Sequence, residues 1–125
     1  MTQRIFPMIA YEDTARAIDW LAQAFGLEEK GQRYEMDDGT VGHAELEIGG
    51  EVMMLATPNR EYESPKTHRE TCDAAARWLD NPWVVDGVLV EAGANVIRAP
   101  EEGPAGRLYT AEDLEGHRWM FQQRQ

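Results

Sequence analysis

Cysteine, basic side chains and long apolar runs are all scarce in this chain. Its 125 residues include one cysteine, Cys72, and 12 lysines and arginines against 23 aspartates and glutamates, a formal net charge of −11. A lone thiol closes no intramolecular bridge, so stability has to come from a packed core, and such sparing use of cysteine suits a reducing compartment. The opening residues 1–7 run directly into a strand-like pattern with no apolar signal core, which adds to the expectation of a cytoplasmic protein. Acidity on this scale disfavours nucleic acid as a partner, because phosphate binding rests on clustered lysine and arginine. Neutral or cationic small molecules suit the charge better. The longest apolar stretches, such as Val52–Ala56, fall far short of a membrane span, so no membrane partner is expected. What remains is a length that buries roughly two thirds of the unfolded chain's surface, enough for one domain or two small halves sharing a core.

The pattern of what is present predicts an α+β fold. Ile5–Tyr11 reads as a strand, and Asp13-Thr14 as the cap of a helix whose stripe is Ile18, Leu21 and Phe25 and whose end is Gly26. A strand over Gln32–Met36 meets the Asp37-Asp38-Gly39 turn, a strong hairpin signal. In His43–Ile48 alternation puts Ala44, Leu46 and Ile48 on one face and His43, Glu45 and Glu47 on the other. Gly49-Gly50 turns the chain into Val52–Leu55. A second helix opens at Ser64-Pro65 or at Thr67, carries Cys72, Ala75, Trp78 and Leu79 as its stripe, and stops before Asn81-Pro82. Strand material follows in Trp83–Val85, Val88–Val90 and Asn95–Arg98, then a loop over Pro100–Gly106. Two last strands, Arg107–Ala111 and Arg118–Gln122, flank an acidic turn. Tyr34-x-x-Asp37-Asp38 with Gly42-His43 echoes Tyr109-x-x-Glu112-Asp113 with Gly116-His117, which suggests a duplicated unit.

Several short motifs in the same order resemble the vicinal oxygen chelate superfamily, the glyoxalase, bleomycin-resistance and extradiol dioxygenase group, in its PhnB-like or bleomycin-resistance-like branch. They are Pro7–Tyr11 with Asp13, Ala17-Ile18, Trp20-Leu21 and Phe25-Gly26, then His43-Ala44-Glu45-Leu46 with Gly49-Gly50. The chain's end supplies Gly93-Ala94, Val96-Ile97 and Pro100, followed by Gly106-Arg107, Tyr109, Asp113, Glu115-Gly116-His117, Trp119 and Phe121. The resemblance implies paired β-α-β-β-β modules forming a cupped mixed sheet, with a small-molecule ligand on the concave side and a homodimer as the usual assembly. The expected domain is 1–125, with module one at about 1–57, a linker helix at about 64–81 and module two at about 83–125. Because Ala92-Gly93-Ala94 follows Glu91 at once, the second module lacks its usual helix, for a helical crossover needs about a dozen residues.

The family's metalloenzymes place ligands at four points that fall here near Phe6, Met54, Gly87 and Met120, none of which offers a carboxylate or imidazole. No cofactor is therefore expected. The expected function is sequestration of a planar or cationic ligand, with Phe6, Met8, Met54 and Met120 as an adaptable apolar lining and Trp83 as a stacking surface. His43, Glu45, Glu47 and Arg118 complete the candidate ligand-binding set. The alternative is a divalent-metal lyase or dioxygenase using zinc, nickel, manganese or iron on His43 and Glu45. Weaker candidates are His68 with Cys72 as a helical nucleophile–base pair, His117, and Gly103–Arg107 as an anion loop, the last read more simply as a turn.

Overall fold

Asp13 opens the first helix as its side chain accepts from the Arg16 N–H at 3.1 Å, and Gly26 closes it in the left-handed region at φ 77°, donating to the Ala22 carbonyl at 3.1 Å. That helix, α1 (Thr14–Phe25), and the strands around it belong to a computed structural model that describes residues 3–80, 87–91, 101–103 and 106–123. The expected strands Trp83–Val85 and Asn95–Arg98 lie outside the described residues. Before α1 runs β1 (Met8–Ala10), and after it β2 (Glu28–Glu35), β3 (Val41–Ile48) and β4 (Glu51–Ala56). Two short helices follow, α2 (Pro65–Thr71) and α3 (Asp73–Leu79). Then come β5 (Gly87–Glu91), β6 (Glu101–Gly103), β7 (Gly106–Glu112) and β8 (Arg118–Gln123).

The strands form two four-stranded sheets of identical topology, β1-β4-β3-β2 and β5-β8-β7-β6. In each, the first strand runs parallel to the last, and the remaining neighbours are antiparallel. The mixed, paired β-α-β-β-β architecture is thus present, and only nine residues separate β5 from β6 where module one has its helix. The duplication is real, but the sequence echo does not mark it. Tyr34–His43 spans the β2–β3 turn, whereas Tyr109–His117 spans the β7–β8 turn, whose counterpart in module one is the Gly49-Gly50 turn between β3 and β4. Acidic residues and glycine recur because both segments are hairpins, not because the positions correspond.

Three further expectations change. β2 starts at Glu28, because pairing with β3 (Glu28 opposite Glu47, Lys30 opposite Glu45) recruits polar residues that show no strand pattern of their own. The single linker helix is two, broken at Cys72 (φ −137°, ψ 115°), after which Asp73 stands in the first turn of α3 where a carboxylate complements the helix dipole. Part of the Pro100–Gly106 loop is strand β6, with Gly103 paired to Gly106 of β7.

Alternation decides what each sheet buries. Ala44 and Leu46 of β3 and Met53 and Leu55 of β4 meet Ala17, Ile18, Leu21 and Phe25 of α1. From the second sheet, Trp119 and Phe121 of β8 join the same core, the Phe25 ring lying 5.3 Å and 4.8 Å from theirs. The opposite, open faces carry Met8, Glu45 and Met54 on the first sheet and Leu89, Arg118 and Met120 on the second, as the pairs Met8–Met54, Glu45–Met54 and Leu89–Met120 show.

Polar groups lock the modules together. Asp113, buried in the β7–β8 turn, accepts from the Tyr11 hydroxyl at 2.6 Å, the Trp119 indole N–H at 3.0 Å, and the backbone N–H groups of Glu115 and His117, each at 3.0 Å. A carboxylate has about four acceptor sites, and all are used. Replacing Asp113 with alanine strands two buried side-chain donors, so a loss on the order of 3 kcal/mol is expected in urea unfolding followed by tryptophan fluorescence. Gly116 in the same turn has φ 88°, and a Cβ there would lie 2.7 Å from the Lys66 backbone nitrogen, whereas a Cβ on Gly26 would meet nothing within 4 Å. Gly116→Ala should therefore cost clearly more than Gly26→Ala, for which about 1 kcal/mol is expected, in the same measurement.

Candidate functional site

The edge strands β1 and β5 both border a cavity of about 860 Å³. Met8 and Ala10 line it from β1, Gly87 and Val88 from β5, and His117 and Arg118 from the start of β8. Tyr62 and the helices α2 and α3 form the remaining wall through His68, Cys72, Trp78 and Leu79. Neither of these helices contributes a buried residue, so apolar packing alone does not hold them. Their ends are tied by polar groups instead. Glu12 accepts from the Ser64 N–H at 2.9 Å and the Thr67 hydroxyl at 2.6 Å at the start of α2, and the Lys66 N–H donates to the Glu115 carbonyl at 3.0 Å. Arg69 grips Glu112 with both terminal nitrogens at 3.0 Å and 3.4 Å, and the Arg118 guanidinium donates to the Leu79 carbonyl at the end of α3. The Glu115 carboxylate in turn receives the Glu12 and Asp13 N–H groups, the latter at 2.9 Å.

These ties carry electrostatic signatures. Hydrogen bonds from Ser64 and Thr67 hold the Glu12 carboxyl below the ordinary glutamate range. Burial raises Glu115, outweighing the backbone N–H groups that favour its ionised form. Burial also raises the Tyr11 phenol, with Asp113 beside it adding to the effect. The His117 ring stands edge-on to Tyr11 with centroids 4.8 Å apart, and its Nε2 lies 2.7 Å from the Ala10 carbonyl. Since a carbonyl only accepts, Nε2 is the donor there.

Of the candidate ligand-binding set read from the sequence, Met8 and Arg118 line the cavity. Phe6 lies ahead of β1, partly exposed, and does not line it. His43, Glu45, Glu47 and Met54 occupy the open face of the first sheet, where Glu45 sits opposite Lys30 and Met54, and Glu47 pairs with Lys30 at 3.1 Å. Met120 lies on the open face of the second sheet. Trp83 lies outside the described residues. His68 and Cys72 both border the cavity, but Cys72 falls at the helix break, so the expected helical i, i+4 pair does not form. Gly103 and Gly106 of the expected Gly103–Arg107 loop are partners between β6 and β7, and residues 104–105 between them lie outside the described residues. Trp78 and Leu79 were legible only as part of a core stripe, and Tyr62 was not singled out. An apolar stripe at helical spacing looks the same whether it faces a core or a cavity.

Among the described residues no three His, Cys, Asp or Glu side chains gather as a metal site, and nothing completes a ligand set with His43 and Glu45. The residues near which the family's metal ligands are expected, Phe6, Met54, Gly87 and Met120, offer no carboxylate or imidazole. Among the described residues the donor set assembles no site for a divalent cation. No helix among the described residues is long and apolar enough to cross a membrane.

Two cupped modules of this topology around a seam cavity define a class, and sequence comparison gives the family. The profile of the Glyoxalase/Bleomycin resistance protein/Dioxygenase superfamily matches residues 5–121, and the chain belongs to that superfamily. Among solved structures, TioX from Micromonospora sp. ML1 is similar at 26% identity and a TM-score of 0.62, the alignment covering 98% of this chain and 97% of that one. The PhnB protein from Bacillus cereus shares the fold at 19% identity (97% and 99% covered, TM-score 0.52). So does lactoylglutathione lyase from Agrobacterium tumefaciens, at 16% (98% and 94% covered, TM-score 0.56). A search of curated protein sequences finds no match.

The shifts of Glu12 and Glu115 act in opposite directions. Glu12, lowered in the folded protein, contributes stability that is present above the ordinary value of 4.5 and lost as pH falls through its lower folded value. Glu115, raised, contributes stability that is present below 4.5 and lost as pH rises through its raised value. Calorimetric melting across acidic to neutral pH should therefore show Glu12→Gln flattening the acid limb and Glu115→Gln flattening the limb above it.

Proposed function

We propose that this protein binds a small, flat molecule in the seam cavity and releases it unaltered, without a resident metal. The observation that carries the reading is the cavity itself. Its volume suits a drug-sized ligand, and its lining is chiefly apolar, with Met8, Tyr62, Trp78 and Leu79 around a few polar groups. Trp78 is 62% exposed at the edge of this space, a costly place for an indole unless something flat stacks on it. Membership of a superfamily that includes bleomycin-resistance proteins supports the reading, since affinity alone suffices for such a role. A homodimer is the accompanying proposal, supported by apolar surface left bare on the open side of the second sheet, Leu89 at 54% exposure, and a cytoplasmic location is proposed with it.

A second reading, a divalent-metal lyase or dioxygenase, draws on His43 and Glu45 sharing one face of β3. Native mass spectrometry before and after incubation with zinc, nickel, manganese or iron separates the two. The binding reading expects a metal-free dimer throughout, while one stoichiometric metal lost in His43→Ala or Glu45→Ala establishes the other. Titration with planar heteroaromatic compounds should quench tryptophan fluorescence, and Trp78→Ala should weaken binding about tenfold, some 1.4 kcal/mol. Turnover of the bound compound, detected by chromatography, would sink the binding reading.

A further inference from the structure

A ligand that fills the seam cavity strips water from the polar atoms on its wall, and each of them then needs a new partner. His117 brings one such atom. Its ring borders the cavity, and its Nε2 lies 2.7 Å from the Ala10 carbonyl. A carbonyl only accepts, so Nε2 carries a proton, and in the neutral ring Nδ1 is left with a lone pair. Among the described residues nothing bonds to Nδ1. No buried side-chain nitrogen or oxygen among them lacks a partner, so Nδ1 is not sealed inside the core and opens on space that water or a ligand reaches. We propose that Nδ1 of His117 faces the cavity as a hydrogen-bond acceptor, and that the site selects flat aromatic ligands carrying a donor, of the phenol class. The proposal rests on the binding reading above and adds the polarity of the group that the ligand must present.

The ring is held from both modules. Its backbone N–H donates to the Asp113 carboxylate at 3.0 Å and its carbonyl accepts from the Asp113 N–H at 2.8 Å, which fixes the residue at the foot of β8. The Ala10 carbonyl belongs to β1 of the first module, and the neighbouring Tyr11 meets the imidazole edge-on with centroids 4.8 Å apart. The carboxylates of the same turn, Asp113 and Glu115, bond Tyr11, Trp119 and backbone N–H groups, not the imidazole. Nδ1 is thus set in one direction before a ligand arrives, and an acceptor fixed in advance gives up little entropy on binding. His68, the other imidazole on the described wall, is exposed on α2, and among the described residues no bond fixes its ring. The wall also carries Met8, Trp78 and Leu79, so an occupant without a donor leaves the lone pair of His117 dehydrated and unmatched.

The test is calorimetric titration of the full chain with two probes of one ring system, at about pH 8, which favours neutral imidazole. 2-Naphthol donates a hydrogen bond, whereas 2-methoxynaphthalene only accepts. Naphthol is expected to bind about tenfold more tightly. His117→Gln keeps an N–H donor where Nε2 stands but puts no acceptor where Nδ1 stands, so the preference should fall to near parity through loss of naphthol affinity alone. His117→Asn carries its side-chain oxygen where Nδ1 stands and should retain a preference of about threefold or more. A ring that only tied the modules together would move both probes at once. Loss of 2-methoxynaphthalene binding in either variant therefore overturns the assignment, as does a naphthol preference that survives in His117→Gln or vanishes in His117→Asn. Equal affinity of the native chain for the two probes, or preference for the ether, overturns the proposal but leaves the binding reading standing. Failure of both probes to bind the native chain overturns both.

Discussion

Everything in this fold that is not simple core depends on one buried carboxylate. Asp113 sits in a turn of the second module and takes hydrogen bonds from Tyr11 of the first module, from Trp119 of its own last strand, and from two backbone groups of its own turn. Burying a carboxyl group is costly unless its acceptor positions are filled, and here all of them are. That requirement sets geometry as well as energy. Three of its donors belong to the second module and hold the turn in shape, while the Tyr11 hydroxyl, together with the Glu12 and Asp13 N–H groups on the neighbouring Glu115 carboxylate, ties that turn to the β1–α1 connection of the first.

From that placement the cavity follows. The two sheets share a core on one side, through Phe25, Trp119 and Phe121, and leave edge strands β1 and β5 bordering open space on the other. The helices α2 and α3 cross this space without burying a residue of their own, held by Glu12, Glu112, Glu115 and Arg118 at their ends. A segment anchored by polar groups rather than packed against a core leaves volume beneath it. Recognition by shape and stacking is the use proposed for this space.

Much of the fold was legible because local chemistry and tertiary context agree. Asp13 and Gly26 cap α1 as their residue types dictate, and the alternation of His43–Ile48 survives intact in β3 because one face had to be buried. Legibility fails where the partner strand decides. Nothing in Glu28–Gly31 announces a strand, yet pairing with β3 makes it one. Cys72 breaks what periodicity presents as a continuous helix. The candidate site was half legible. Met8 and Arg118 were found, whereas Trp78 and Tyr62 were not, because the residues that line the cavity come from segments distant in the chain and with unlike patterns.

By itself the sequence determined the family, the two-module plan and the capped first helix. All of these are properties of residue type and local spacing, and such properties persist whatever surrounds them. Only the tertiary structure decided that the helices after module one wall a cavity, that Glu12, Glu112 and Glu115 tie those helices to the modules, and that Arg118 borders the cavity from the start of β8. Those facts depend on which surfaces meet. That is set by satisfying buried polar groups across some hundred residues of chain, and no local pattern encodes it.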